Sequence, residues 1–338
     1  MKKIFLSADI HEDKTAGLKA RVDVREILEK EGYHTVYFPP IRKASDAVKF
    51  WKTLSRLVVP GETHIVLEYP CSIRKRIAMV YLFSRVKRVK FYGVVHDIAS
   101  LREGSSNRED MFFLKMFDGL ISHNASMTAW LRQKGYKKKL VDLQAFDYCL
   151  PAAKDFYAPS VGKPVKIFYA GNLAYRKAGY LYEKGMEKLD NVELCVYGQY
   201  FEPEKLNGCA RISYKGVFDP HTPDLGENYH FGLIWEGSSL ETCEGVFGNY
   251  IRYNNPHKFS LYLSLGLPVI VWKEAAIAPF ILQNNIGFAI ERFHELETIG
   301  NRITEEQYKE YVKNVALFAD KVRKGFFLRT ALNELVKP

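Results

Sequence analysis

Short runs rich in β-branched and aromatic residues alternate with stretches of helical periodicity, and this alternation limits the fold more than any other feature. Parallel strands need long crossover connections, usually helices, so the alternation predicts βαβ units and parallel sheets. The pattern begins twice, at Lys3–Lys30 and again at Lys166–Leu189. The predicted strands are Ile4–Ala8, Thr35–Phe38, His64–Glu68, Phe91–Val95, Gly119–His123 and Leu140–Leu143 in the first half, then Val165–Ala170, Glu193–Tyr197, Ile212–Tyr214, Phe231–Trp235, Val269–Trp272 and Phe288–Ile290.

The length of 338 residues supports the same division, because most single cores are smaller. We predict an α/β protein with two Rossmann-like domains whose parallel sheets face each other across a cleft. The first domain is expected at residues 1–155 and the second at 156–320, with a loose linker at Leu150–Pro164. Residues 321–338 form the C-terminal part of the amphipathic helical stretch Thr304–Val336. This C-terminal helix could pack back on the first domain, but periodicity alone does not decide it.

Cysteine usage and hydropathy indicate a cytoplasmic protein. The five cysteines are far apart and form no C-x-x-C pair, so neither a disulfide framework nor a zinc site is expected. No apolar run reaches the roughly 18 residues that a membrane span needs. The segment Met1–Ser7 is interpreted as a first strand rather than a signal peptide, because charged residues follow from Asp9 onward.

The net charge of +10 predicts an anionic partner. Basic residues cluster at Arg74–Arg76, at Arg85–Lys90 and at Lys137–Lys139. The apolar segment Ile77–Phe83 lies between the first two clusters, so this helix could lie peripherally on the inner face of an anionic membrane. A core helix with solvated basic ends is the alternative.

Several familiar motifs are missing. The chain has no G-x-G-x-x-G and no G-x-x-x-x-G-K-[ST], which argues against ordinary NAD enzymes and P-loop nucleotidases. No D-x-D, no G-x-S-x-G and no zinc-ligand pattern occurs either. We therefore expect no metal and no cofactor.

The most informative motif for function is Tyr253–Lys258, which leads into an apolar helical run that ends at Gly266 and Pro268. A helix N-terminus carries free N–H groups and partial positive charge, and Lys258 adds a full charge. This arrangement is suited to a phosphate ester. A capped core helix with a solvated lysine is the structural alternative.

Other loops that follow predicted strands could complete such a site, because ligands of open α/β sheets bind at the carboxyl ends of strands. After the first strand of the second half, Gly171 permits close backbone approach and Arg176 could grip a diphosphate, unless it is only a surface ion-pair residue. Tyr214 could seat a base, although packing is the simpler explanation for a tyrosine at a strand end. The loop Gly237–Gly248 is long and glycine-rich, as lids and binding loops often are.

Ionisable groups follow strands in the first half as well. His96 and Asp97 follow one strand and His123 ends another, while His11 lies in the loop that opens the first helix. Such a side chain can take a proton from an incoming hydroxyl. Asp97 could equally orient His96 or cap the next helix.

These motifs together resemble bacterial GT-B glycosyltransferases. The resemblance is carried by His96-Asp97 with Leu101-Arg102, His123-Asn124 with Met127 and Trp130-Leu131, Phe146-Asp147-Tyr148, and Tyr253–Lys258 through Pro268. More closely, the chain is similar to the family that holds the Gtf3-type glucosyltransferases of adhesin glycosylation and the β-1,6-galactofuranosyltransferases of the WbbI type. The similarity runs from the first strand to about residue 290.

The resemblance implies transfer of a hexose, galactofuranose or glucose, from a UDP-sugar to a sugar hydroxyl in polysaccharide or glycoprotein assembly. The UDP-sugar would bind mainly to the second domain and the acceptor mainly to the first; the acceptor could be lipid-linked or a glycoprotein. If the reaction inverts, as the relatives suggest, a base is needed. The expected donor-binding residues are Gly171, Asn172, Arg176, Tyr214, Gly216, Asn255, His257 and Lys258. The expected acceptor-binding residues are Thr15, Gly17, His123 and Asn124, and the base candidates are His96, Asp97 and His11.

The chain departs from the wider GT-B pattern at one position. Many members hold the ribose with a glutamate three residues after the lysine, and here that position is Leu261. A UDP-sugar epimerase of the same architecture and a non-catalytic glycan-binding or nucleotide-binding subunit are the competing hypotheses. A nucleic-acid partner is not expected, because no recognised motif of that kind occurs. A homo-oligomer is compatible with the sequence.

Overall fold

A computed structural model describes residues 2–7, 16–71, 73–151, 164–206 and 209–337. The described residues form two compact units. The first contains 2–7, 21–143 and 327–337, and the second contains 16–20 and 144–326. The expected domain boundary at residue 155 lies outside the described residues.

The first unit is built on a parallel sheet that has six strands in the described part of the chain, in the order β2-β1-β3-β4-β5-β6. Strand β3 is buried along its whole length, which matches the apolar run Ile65–Leu67 at its centre and its position inside the sheet. The strands are β1 Lys2–Ser7, β2 His34–Tyr37, β3 Thr63–Tyr69, β4 Lys90–Val95, β5 Gly119–Ser122 and β6 Lys139–Asp142. The helices that connect them are α1 Ala16–Lys30, α2 Ala44–Leu57, α3 Lys75–Lys87, α4 Ala99–Glu103, α5 Arg108–Leu114 and α6 Ala125–Gln133.

The second unit also contains a parallel sheet, again with six strands among the described residues, in the order β12-β11-β10-β7-β8-β9. Its strands are β7 Val165–Ala170, β8 Val192–Tyr197, β9 Ile212–Tyr214, β10 Phe231–Ile234, β11 Val269–Trp272 and β12 Gly287–Ile290. Its α-helices are α7 Tyr175–Ala178, α8 Gly245–Tyr250, α9 His257–Ser264, α10 Ala278–Gln283, α11 Ile299–Arg302 and α12 Glu305–Arg323. Four short 3₁₀ helices in the described chain complete the connections: Gly179–Tyr182, Lys184–Lys188, Pro203–Lys205 and Phe293–Thr298.

The predicted α/β fold with parallel sheets is confirmed, and each predicted strand has a counterpart in the structure. The helical stretch predicted at Thr304–Val336 is interrupted, because Gly325 adopts a left-handed conformation with φ of 71° between α12 and α13 Phe326–Val336. Helix α13 lies in the first unit, where Lys139 donates to the Lys337 carbonyl at 2.7 Å. The predicted loop Gly237–Gly248 also differs, since its last residues belong to α8.

All the strands of each sheet run parallel, so their carboxyl ends meet at one edge. The direction of chain progression reverses between β1 and β3 in the first sheet and between β7 and β10 in the second. Loops diverge at such switch points and leave a crevice, so the residues that follow these strands are the first candidates for a site.

No helix in the described ranges combines the length and the apolar character needed to cross a bilayer.

Candidate functional site

The switch point of the second sheet brings a buried ion pair together. Glu236 follows β10, and Lys258 lies in the first turn of α9. Lys258 Nζ lies 2.6 Å from Glu236 Oε1, with side chains that are only 10% and 12% exposed. The same ammonium lies 3.9 Å from the ring centroid of Tyr169, near the end of β7. We call Tyr169, Gly171, Glu236 and Lys258 the Lys258 cluster.

The surroundings of Lys258 in this cluster shift its pKa from the ordinary value of a lysine. Burial lowers the pKa of Lys258, the paired Glu236 opposes this effect, and the nearby charge of Lys177 lowers that pKa further. Glu236 Oε2 is buried and has no hydrogen-bond partner among the described residues. The Lys258 cluster therefore holds a desolvated positive charge beside an unused acceptor, and charges in such surroundings interact strongly with a ligand.

Glycines let the loops of this edge approach one another. A Cβ at Gly171 would lie 3.2 Å from Lys258 Nζ, so a larger residue would crowd the ammonium. Gly198, after β8, has φ of 150°, and a Cβ there would lie 1.7 Å from the Gly171 carbonyl oxygen. Gly198 N–H in turn donates to the Gly216 carbonyl at 2.9 Å. Close backbone contacts and a hydrogen bond thus join the loops after β7, β8 and β9 into one continuous surface.

An aromatic pair lies beside the surface that these three loops form. Tyr214 at the end of β9 stacks on Phe201, with ring centroids 4.4 Å apart and an interplanar angle of 15°. The Tyr214 hydroxyl donates to the Gly198 carbonyl at 3.1 Å, which fixes the ring, yet the residue stays exposed. A fixed, exposed ring can stack on a flat heterocycle such as a nucleobase.

The amide–proline motif before α9 is anchored within the second unit. Asn255 is buried, and its Nδ2 donates to the Gln144 carbonyl at 2.8 Å. The His257 ring lies 4.9 Å from the Tyr148 ring, centroid to centroid. These contacts hold the beginning of α9 in place, and with it the backbone of Lys258.

Two further residues expected at the donor site, Asn172 and Arg176, follow β7 in the loop and in the short helix α7. Asn172 accepts from the Ala174 N–H at 3.0 Å and so shapes that loop. Arg176 is exposed on α7, and no contact within the described ranges joins it to Lys258. Its neighbour Lys177 is the cation that acts on the pKa of Lys258.

The first unit carries a second buried pair at its strand ends. His96 follows β4, and its Nε2 lies 2.7 Å from Oε1 of Glu68, near the end of β3. Arg21 NH1 lies 3.4 Å from the other carboxylate oxygen of Glu68. Glu68 is buried and His96 is nearly so, with side chains 3% and 9% exposed. We call Arg21, Glu68 and His96 the His96 cluster.

The other base candidate after β4 has a different partner. Asp97 forms an ion pair with Arg102 of α4. The alternative that Asp97 caps α4 stays a prediction. Glu68 contacts the His96 ring at Nε2, and the alternative that Asp97 orients His96 stays a prediction.

His123 and Asn124 are both buried at the end of β5. His123 Nε2 lies 3.1 Å from the Val95 carbonyl oxygen, and burial, together with the charge of His96, lowers the pKa of His123 to about 3. Asn124 caps α6 by accepting from the Met127 N–H at 3.0 Å. The structure thus gives each of the two a structural role, while their predicted contact with an acceptor stays a prediction.

Three expected residues cannot be described in the same way. His11 and Thr15 lie outside the described residues. Gly17 lies in the first turn of α1, where only its backbone is described. Their predicted roles stay predictions.

Several residues in or beside these clusters were not selected from the sequence: Arg21, Glu68, Tyr169, Lys177, Phe201 and Glu236. The two glutamates carried a usable signal, because each is a carboxylate at or just after the end of a buried strand. Phe201 and Lys177 carried none, since their importance depends on neighbours distant in sequence. Among the described residues, no group of three or more His, Cys, Asp or Glu side chains could hold a metal ion.

In comparison with known proteins, each half of the chain matches a family model. The family model "Glucosyltransferase 3-like, N-terminal domain" matches residues 3–145, and "Glucosyltransferase 3-like, C-terminal domain" matches residues 167–335. The chain is 32% identical to the beta-1,6-galactofuranosyltransferase WbbI of Escherichia coli (strain K12) over 331 residues, which cover 96% of this chain and 95% of the relative. It is 24% identical to glucosyltransferase 3 of Streptococcus gordonii over 260 residues, or 75% of this chain and 72% of that protein.

Solved structures support the fold. An alpha-glucosyltransferase in complex with UDP-glucose and DNA containing an abasic site superposes with a TM-score of 0.53 at 11% identity, covering 99% of each chain. At this identity the likeness concerns the architecture alone.

Proposed function

The chain belongs to the glucosyltransferase 3-like family and is a glycosyltransferase of the GT-B fold, and we propose that it transfers a hexose, galactofuranose or glucose, from a UDP-sugar to a hydroxyl of a glycan acceptor. Polysaccharide or glycoprotein assembly is the setting we propose, with an acceptor that is lipid-linked or part of a glycoprotein. The observation that carries this proposal is the Lys258 cluster. In it, Lys258 pairs with Glu236 and lies in the first turn of α9, at the switch point of the second parallel sheet.

We propose that the Lys258 cluster binds the diphosphate of the donor. When the bond from the anomeric carbon to the diphosphate breaks, negative charge grows on the leaving oxygens. Lys258, Lys177 and the N-terminus of α9 stabilise that charge, and their fixed positions make the stabilisation largest in the transition state. Protein cations can supply this stabilisation without a metal, which supports a metal-independent reaction. The exposed ring of Tyr214 would stack on the uracil.

We propose that the first unit supplies the base of an inverting reaction and that the base is His96. Asp97 is engaged by Arg102, and the lowered pKa of His123 makes it a weak base near neutral pH. His96 has a carboxylate on Nε2, which assigns the other ring nitrogen, Nδ1, to the acceptor hydroxyl.

We also propose that the enzyme acts in the cytoplasm, in peripheral contact with the inner face of an anionic membrane. All five cysteines are free thiols, which suits a reducing compartment. Leu82 and Val86 are one turn apart on α3 and are 56% and 65% exposed, and Ile73 just before the helix is 48% exposed. Exposed Lys75 and Arg88 flank this apolar stripe. Apolar residues with basic neighbours suit a surface of anionic lipids.

A direct test replaces Lys258 with alanine and measures UDP release from UDP-galactofuranose and UDP-glucose with glycan acceptors. We expect a loss of kcat of about 100-fold or more, because groups that stabilise transition-state charge have effects of this size. UDP should also raise the melting temperature of the wild type by mass action and raise that of Lys258→Ala far less.

The matched control is Lys273→Ala, which removes an exposed lysine of the same unit that is paired with Glu291 at 2.7 Å. Its turnover and its response to UDP should equal those of the wild type. If Lys258→Ala retains turnover within about twofold of the wild type, the Lys258 cluster does not bind the leaving group.

A further inference from the structure

The His96 cluster is held by the sheet itself. Strands β3 and β4 are parallel neighbours in which Glu68 is the register partner of Val94. Beyond the ladder, the His96 N–H donates to the Tyr69 carbonyl at 2.7 Å. The backbone therefore places the His96 ring beside Glu68, and the 2.7 Å contact between Nε2 and Oε1 follows from the register.

Both oxygens of Glu68 are used. Oε1 contacts His96, while Oε2 faces Arg21 NH1 at 3.4 Å. Arg21 is held in turn, because its NH2 donates to the Pro70 carbonyl at 2.9 Å. A guanidinium has only donors, so it requires an acceptor oxygen on its side of Glu68. The carboxylate can satisfy Arg21 and His96 together, because both of its oxygens accept.

This arrangement selects one tautomer of His96. A carboxylate accepts hydrogen bonds and donates none, so Nε2 carries the ring proton and the lone pair of the neutral ring lies on Nδ1. Among the other ionisable groups nearby, Asp97 is paired with Arg102 and His123 is kept neutral by its low pKa. Glu68 thus presents a carboxylate oxygen to the His96 ring at Nε2.

We propose that Glu68 is a positioning residue for the glycosyl transfer, which fixes the tautomer and orientation of His96 and balances the positive charge that His96 gains. This inference rests on the proposed function. In the step it serves, the acceptor hydroxyl loses its proton to His96 Nδ1 while its oxygen forms a bond to the anomeric carbon. The bond from that carbon to the diphosphate oxygen breaks, and its electron pair leaves with UDP.

The amide variant Glu68→Gln tests the inference sharply. Because Arg21 can only donate, it takes the amide oxygen, so the amide NH₂ faces His96 and requires an acceptor at Nε2. The proton then moves to Nδ1, where the base needs its lone pair. We expect kcat to fall by about 10²- to 10⁴-fold, the range for loss of a general base or its correct tautomer, while KM for the donor changes little.

Two further measurements separate positioning from folding. Nitrogen-15 NMR of histidine-labelled protein should show His96 protonated at Nε2 in the wild type and at Nδ1 in Glu68→Gln. The melting-temperature increase with UDP should be the same in both proteins, because UDP binding is assigned to the second unit. Glu62→Gln, at an exposed position just before β3, is the matched control and should behave as the wild type in each assay.

The outcomes are distinguishable. Glu68→Gln with wild-type kcat, or with an unchanged His96 tautomer, would overturn the positioning role. A wild type that releases no UDP with any donor and acceptor would overturn the proposed function, and the NMR result would still decide whether Glu68 sets the tautomer.

Discussion

At the residue scale, each unit uses a carboxylate from the end of a buried strand to hold a functional cationic or basic group. Glu68 holds His96 in the first unit, and Glu236 holds Lys258 in the second. A buried charge is costly unless it is paired, so each carboxylate makes a buried functional group compatible with the fold. Removing either carboxylate should therefore change the protonation of its partner while the unit still folds.

For the second pair, we expect Glu236→Gln to make UDP binding more sensitive to pH. Burial and Lys177 lower the pKa of Lys258 and Glu236 opposes them, so its loss lowers that pKa further. Lys258 then loses its proton at a lower pH, and the diphosphate loses a charged partner as the pH rises. Calorimetric titration with UDP from pH 6 to pH 9 should show a steeper fall in affinity than in the wild type.

The control for this prediction is Glu291→Gln, which removes the partner of the exposed Lys273. Exposed ion pairs contribute little, so its UDP affinity should follow that of the wild type at every pH. Parallel pH profiles for Glu236→Gln and the wild type would show that Glu236 does not control the charge of Lys258.

At the element scale, α3 has apolar residues on both its buried and its exposed sides. Ile77, Val80 and Phe83 belong to the core of the first unit, while Leu82 and Val86 face outward. The buried side confirms that the segment is a core helix. The exposed side supports the membrane hypothesis, and the two interpretations of the sequence are therefore compatible.

We expect the wild type to sediment with vesicles of phosphatidylglycerol and not with phosphatidylcholine alone. The double variant Leu82→Gln, Val86→Gln should bind at least tenfold more weakly, because burying one such side chain contributes about 1.5–3 kcal/mol. Leu317→Gln, which alters a leucine that is 62% exposed on α12, is the matched control. Equal sedimentation of the double variant and the control would exclude α3 as the contact.

At the scale of the whole molecule, the two units should lose stability in different ranges of acid pH. In the first, burial lowers the pKa of His123 to about 3, so its stabilising contribution is present above pH 6.5 and is lost as the pH falls towards 3. In the second, burial raises the pKa of Glu227, but hydrogen bonds from Lys166 and Lys215 outweigh it and lower that pKa to about 2. Its contribution is present above pH 4.5 and is lost as the pH falls towards 2.

We therefore expect acidification from pH 6.5 to pH 4.5 to weaken the first unit first. Hydrogen exchange followed by mass spectrometry should show a larger loss of protection in residues 21–143 than in 164–326 over this range. His123→Gln should remove about 1.4 kcal/mol per pH unit of that dependence, because one proton fewer is taken up on unfolding. A uniform loss of protection in both units, unchanged in His123→Gln, would contradict the assignment.

The sequence by itself determined the fold and the family. Strand positions follow from short apolar runs between helical patterns, and this signal is local, so each predicted strand appears in the structure. The positions of Lys258 at the start of α9 and of His96 at the end of β4 were also predictable, because strand–helix boundaries show in local sequence.

Only the tertiary structure decided which side chains act on these groups. Glu68 precedes His96 by 28 residues, so their contact depends on β3 and β4 being neighbours in the sheet. Glu236 precedes Lys258 by 22, and their contact depends on the packing of α9 beside β10. Burial decides whether a charged side chain is solvated or held, and burial is a property of the assembled core. Local patterns place a functional residue along the chain, whereas strand order and packing choose its partner.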